Sequence, residues 1–126
     1  MNQNVDYELE CDATDVSYCS KAIDHAGMCI TIAGAQEAAG DYEGAIANYD
    51  EALAYPYTCR IRFLSYLGRG RVKSILRDYS GAIKDLEEAL YYDFSSTEAS
   101  FLKRFAKSEL EKEKRLQRIK VGLRVV

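Results

Sequence analysis

The chain has 126 residues, 48% hydrophobic and 29% charged, with a formal net charge of −3. That balance fits one globular domain with an ordinary buried core and excludes a chain too polar to fold. No apolar run approaches the ~20 residues that a membrane-spanning helix needs, so no membrane role is expected.

The small net charge conceals a division. Residues 1–56 hold eleven acids against the single Lys21, whereas residues 57–126 hold sixteen Lys or Arg against nine acids. Such a split points to an electrostatically directed partner, or to opposite ends of neighbouring copies meeting. Solvated faces that drifted in composition would give the same numbers. The opening MNQNVDYELECD is acidic and polar, unlike a secretory or transit signal, so a cytoplasmic location is the expectation. Cys11, Cys19, Cys29 and Cys59 contain no C-x-x-C pair and read as reduced, partly buried thiols.

Apolar residues recur at three- and four-residue spacing, alanine is frequent, and Pro56 stands alone, which predicts an all-helical chain. In chain order, a polar start is followed by a short helix from Thr14 or Asp15 to His25. A second helix covers Ala26–Ala39 and stops at Gly40. The third runs from Tyr42 to Tyr55, ended by Pro56. A longer one follows over Thr58–Leu76, then one over Tyr79–Tyr92. Ser95-Ser-Thr-Glu98 has the form of a capping box and opens a last, charged helix. There Phe101, Leu102, Phe105, Leu116 and Ile119 are expected on one face, with two turns packed and the remainder in solvent. The expected divisions are 1–25, 26–94 and 95–126.

Two segments nearly repeat. GDYEGAIANYDEAL from Gly40 and RDYSGAIKDLEEAL from Arg77 share eight of fourteen residues at an offset of 37. Ala45 and Ala52, with Ala82 and Ala89, recur seven apart and permit close approach of helix backbones. Asp41 and Asp78 stand where helix N-termini favour a carboxylate. Ile46, Tyr49 and Leu53, and their counterparts Ile83, Leu86 and Leu90, complete apolar faces that one pair cannot bury alone.

At these residues the chain resembles the tetratricopeptide repeat family. The matching positions are Cys29, Ile32, Ala33, Gln36, Ala45 and Tyr49 in the first copy, with Pro56 near the family's proline. In the second they are Tyr66, Arg69, Gly70, Lys73, Ala82 and Leu86, with Phe94 in place of proline. The likeness covers residues 26–94; the period exceeds the family's 34 by three, and the final helix takes the place of a cap or of a third repeat's first helix. The resemblance implies stacked antiparallel helix pairs forming a superhelix, and non-catalytic protein–protein recognition as an adaptor, scaffold or assembly subunit.

It also implies a binding groove lined by the first helix of each pair. Carried onto this chain, that gives Gly27, Ile30, Thr31, Gly34 and Glu37, then Leu64, Leu67, Gly68, Arg71 and Ser74, then Glu98, Phe101, Leu102 and Phe105. The expected ligand is a peptide or partner helix, its apolar groups anchored and an acidic group held by Arg71. Ile30, Gly34 and Gly68 offer no donors where some family members grip a chaperone tail's carboxylate, which disfavours that ligand. Alternatively the last helix folds over Leu64 and Leu67 and makes them core. A homo-oligomer joined through the acidic and basic halves is the second functional expectation.

Other chemistry finds little support. Arg62, Arg69 and Lys73 share a helix face and the tail is rich in Lys and Arg, but interleaved Glu109, Glu111 and Glu113 dilute the field, so nucleic acid is disfavoured. Cys11, Cys19, His25 and Cys29 lack the tight knuckles of structural zinc sites. Asp24 and His25 are helix neighbours that point apart, and no phosphate-binding loop is present. Neither an enzyme nor a cofactor is expected.

Overall fold

The computed structural model describes residues 16–55 and 58–125. Five α-helices form, with no strand among the described residues: α1 Val16–Ala38, α2 Tyr42–Leu53, α3 Cys59–Ile75, α4 Tyr79–Tyr92 and α5 Thr97–Val125. None of them is long and apolar enough to cross a membrane. The chain is all-α, as its periodicity predicts.

The expected helix end at His25 is absent, because α1 runs through it unbroken. Ala22, Ala26, Cys29 and Ala33 are all buried at spacings of four, three and four, so one apolar stripe crosses the supposed joint. No proline interrupts the ladder around His25, and Gly27 is accommodated within the helix. The predicted start at Thr14 or Asp15, Cys11 and the Pro56 stop lie outside the described residues.

The two turns within the repeats are built alike. Gly40 takes φ +84°, and its repeat counterpart Arg77 takes φ +68°, both left-handed. Asp41 N donates to the Gln36 carbonyl and Gly40 N to that of Glu37; Asp78 and Arg77 do the same to Lys73 and Ser74. These are Schellman ends, which satisfy the last carbonyls of α1 and α3. Each aspartate then caps the following helix, Asp41 Oδ1 accepting from Gly44 N at 3.0 Å and Asp78 Oδ1 from Gly81 N at 3.1 Å. One residue therefore closes one helix and opens the next, which makes each turn short and each pair antiparallel.

Packing follows chain order. α1 packs on α2, α2 on α3, α3 on α4 and α4 on α5, while α1 also meets α3, and α3 meets α5. No Cα of α2 lies within 8 Å of one in α4 among the described residues. The alanines set these distances: Ala45, Ala52, Ala82 and Ala89 have no exposed surface. Leu86 is fully buried beside Phe63, Leu67 and Tyr79, and each such aliphatic side chain contributes roughly 1.5–3 kcal/mol. Ala33, Ala45, Tyr49 and Val72 form a second cluster joining α1, α2 and α3.

α5 departs from expectation at both ends. Its N-cap is Ser96, whose Oγ accepts from Ala99 N at 3.1 Å, while Ser95 Oγ donates to Asp93. Glu98 is consequently released from a capping box and reaches across to Arg71. The stripe facing the body is Ala99, Leu102, Ala106 and Leu110, a spacing of three, four and four, rather than Phe101, Phe105, Leu116 and Ile119. Contact with the body extends to Glu113, which pairs with Arg77 at 2.9 Å, beyond the two turns expected. From Lys114 to Leu123 every side chain is exposed.

Candidate functional site

α1, α3 and α5 share a face, and Arg71 lies at its centre. Its Nη2 donates to Glu37 Oε1 at 3.1 Å and its Nε to Glu37 Oε2, a two-point grip on an α1 carboxylate. Nη1 donates to Glu98 Oε2 of α5 at 2.8 Å. Tyr49, from α2, donates its hydroxyl to Glu37 Oε1 at 3.3 Å. Hydrogen bonding to Glu37 is the main cause that holds the Arg71 guanidinium even more firmly protonated than usual. Burial pushes the Tyr49 phenol up from its ordinary value, and Glu37 reinforces the shift.

The residues expected to line a groove divide into two groups. Leu67 is 6% exposed and belongs to the core cluster that includes Ala99 and Ala106, with Leu64 and Leu102 packed half-buried against it. The alternative in which α5 covers α3 therefore describes Leu67. Arg71 and Glu37 satisfy one another, so the arginine is a brace between helices in this structure. Gly68 has no space for a side chain, since an added Cβ would stand 2.2 Å from the Tyr49 ring. Ser74 is buried.

The second group is open. Thr31 is exposed, Ile30 is half-buried, and nothing stands within 4 Å of a Cβ built on Gly34. Phe101 is 60% exposed and Phe105 43%, the latter with its ring edge against Tyr79. Gly27 and Thr31 help line an open, mainly apolar depression of about 720 Å³, with Met28, Ile32 and Ile61. Its walls are apolar because α1 leaves Met28 and Ile32 uncovered on this side.

The basic face of α3 is largely neutralised. Arg69 grips Asp85 with two nitrogens at 2.8 and 2.9 Å and reaches Asp50 with the third at 2.6 Å. Lys73 joins Asp85 at 3.1 Å. Arg62 bonds the Tyr92 hydroxyl and lies over its ring. Asp85 and Asp50 were missed in the sequence as partners of this face. The repeat held a signal: Asn48 and Gln36, the counterparts of Asp85 and Lys73, pair at 2.7 Å.

No protein-family model matches the chain, and comparisons with curated proteins and with solved structures find no match either.

The remaining polar cluster is His25, Cys29 and Glu51. His25 Nε2 lies 3.3 Å from Glu51 Oε2 and 3.6 Å from Cys29 Sγ. The same ring nitrogen faces both groups, so Glu51 is not placed to orient a base acting on the thiol. Burial, then Glu51, pushes the Cys29 thiol up, opposite to the activation a nucleophile needs. Among the described residues no group of three or more His, Cys, Asp or Glu is arranged to hold a metal. Asp24 is exposed, and Cys11 and the Cys19 side chain lie outside the described residues.

Proposed function

We propose that this chain is a short tetratricopeptide-type recognition module that binds an apolar peptide or partner helix across the face shared by α1, α3 and α5. The observation that carries this reading is that Phe101 and Phe105 stay exposed on α5, the helix whose Glu98 bonds Arg71 and whose Leu102 packs with Leu64 on one core cluster. Two aromatic rings left open next to a braced surface are what an anchor site provides. The repeated Schellman turns, the repeated aspartate caps and the contact of α1 with α3 and α3 with α5 support stacked helix pairs as the scaffold.

In this reading Arg71 fixes the spacing of the three helices, and the apolar side chains supply affinity. The partner contributes hydrophobic groups at helical or extended spacing. Peptides selected from a random displayed library against the whole chain provide the probe. Phe101→Asp should weaken the selected peptides at least about tenfold, whereas Tyr91→Asp, an equally exposed aromatic on α4, should leave them unchanged. Equal losses for both variants, or none for Phe101→Asp, would remove the reading.

A further inference from the structure

We propose that the C-terminal part of α5, Lys114–Val125, is a docking surface for the acidic residues 1–15 of a second copy of this chain. This contact is separate from the shared face of α1, α3 and α5 and does not depend on it.

The acids of α5 stop at Glu113, where the helix leaves the body, and after it come Lys114, Arg115, Arg118, Lys120 and Arg124. Glu109 and Glu113 are already taken by Lys112 and Arg77. Lys114, Arg115, Arg118 and Lys120 make no ion pair among the described residues. Leu116, Ile119 and Leu123 are 58%, 52% and 72% exposed, and their spacing of three and four puts them on one stripe. An unsupported helical end with a bare apolar stripe is stabilised when something covers it.

The charges select the occupant. Two such tails side by side would bring Arg115 and Lys120 against one another, which opposes a tail-to-tail coil. Residues 1–15 instead hold Asp6, Glu8, Glu10, Asp12 and Asp15 with no base, five acids against the tail's five cations. Val5, Tyr7 and Leu9 alternate with those acids, so bound in extended form the segment offers apolar groups on one side and carboxylates on the other. Eight extended residues cover ~26 Å, enough for the ~18 Å of twelve helical ones.

Reach favours another copy over the same one. Successive helices are antiparallel, so Val16 opens at the end of the stack opposite to the one from which α5 protrudes. Passing α1 takes ~34 Å along the stack and crossing two helix layers ~20 Å across it, ~40 Å in a straight line. Fifteen extended residues span ~50 Å, which leaves about three for the stripe, and Val5, Tyr7 and Leu9, at most eleven residues from Val16, reach only ~36 Å. A head-to-tail contact between copies is heterologous, so association should continue with concentration rather than stop at a closed pair.

Sedimentation velocity of the full chain over a wide concentration range tests this. Association is expected at low salt, with its dissociation constant rising at least about tenfold between ~0.05 and ~0.5 M salt. Reversing the head (Asp6→Lys, Glu8→Lys, Glu10→Lys, Asp12→Lys) should leave a monomer with an unchanged helical spectrum. Reversing the tail (Lys114→Glu, Arg115→Glu, Arg118→Glu, Lys120→Glu) should do the same, and both sets in one chain should restore association. A wild type that stays monomeric at every concentration overturns the proposal, as does association that survives head reversal. Tail-dependent binding of the monomer to phosphatidylserine-containing vesicles would assign the surface to a membrane instead.

Discussion

Arg71 on α3 holds Glu37 of α1 with two nitrogens and Glu98 of α5 with its third, so one guanidinium ties together three helices that are not sequence neighbours. The Glu37 side chain is only 14% exposed, against 53% for Glu98. Arg71→Met therefore leaves a nearly buried carboxylate without its cation and should cost about 2–3 kcal/mol. Glu98→Gln should cost less than about 0.5 kcal/mol, because water already screens that pair. Urea denaturation of both variants checks the order, and equal costs would show that Arg71 is not a brace.

Gly68 and Gly34 should respond oppositely to alanine. A methyl on Gly68 meets the Tyr49 ring, which is 2% exposed and has nowhere to move, so Gly68→Ala should destabilise by about 2–3 kcal/mol. Around Gly34 nothing stands within 4 Å, and Gly34→Ala should stabilise by about 0.5–1 kcal/mol through helix propensity alone. Thermal melts of the pair give the sign directly.

At the second turn Arg77 occupies the left-handed conformation that Gly40 occupies at the first. Replacing it by either alanine or glycine loses the same Glu113 pair and the same stacking on Tyr79. Only glycine also removes the backbone cost. Arg77→Gly should be more stable than Arg77→Ala by about 1 kcal/mol, measured by chemical denaturation.

The repeat made most of this fold legible in advance. Asp41 and Asp78, the paired alanines and Gly40 specify two helical hairpins through local chemistry alone. What escaped was decided between elements. Glu98 has the spacing of a capping box with Ser95, but Ser96 takes the cap and Arg71 takes Glu98. Arg71 likewise has the chemistry of a carboxylate receptor, and only the packing of α1 on α3 reveals that Glu37 occupies it. On α5, Phe101 and Leu102 are equally apolar to the eye, whereas the rotation of the helix buries Leu102 and exposes Phe101. Local chemistry specifies turns and caps; which face a helix presents depends on its neighbours.

Alkaline pH should unfold the protein through residues that are held neutral. Burial raises Tyr49, Tyr92 and Cys29 above their ordinary values of 10.0, 10.0 and 9.0. The folded chain thus keeps protons that the unfolded chain releases, so these groups contribute stability below about pH 9 and lose it as pH rises further. Denaturation midpoints across that range check the direction. Cys29 should also react with a soluble disulfide reagent at least about a hundredfold more slowly than exposed Cys59, read by peptide mass mapping.

The most direct test of the recognition reading is to map where a selected peptide touches the chain, by amide chemical shifts on titration. The account predicts perturbations at Thr31 and Gly34 on α1, Leu64 on α3, and Phe101 and Phe105 on α5, with α2 and the outer side of α4 silent. Perturbations concentrated on α2 and α4, or confined to the tail beyond Glu113, would contradict it.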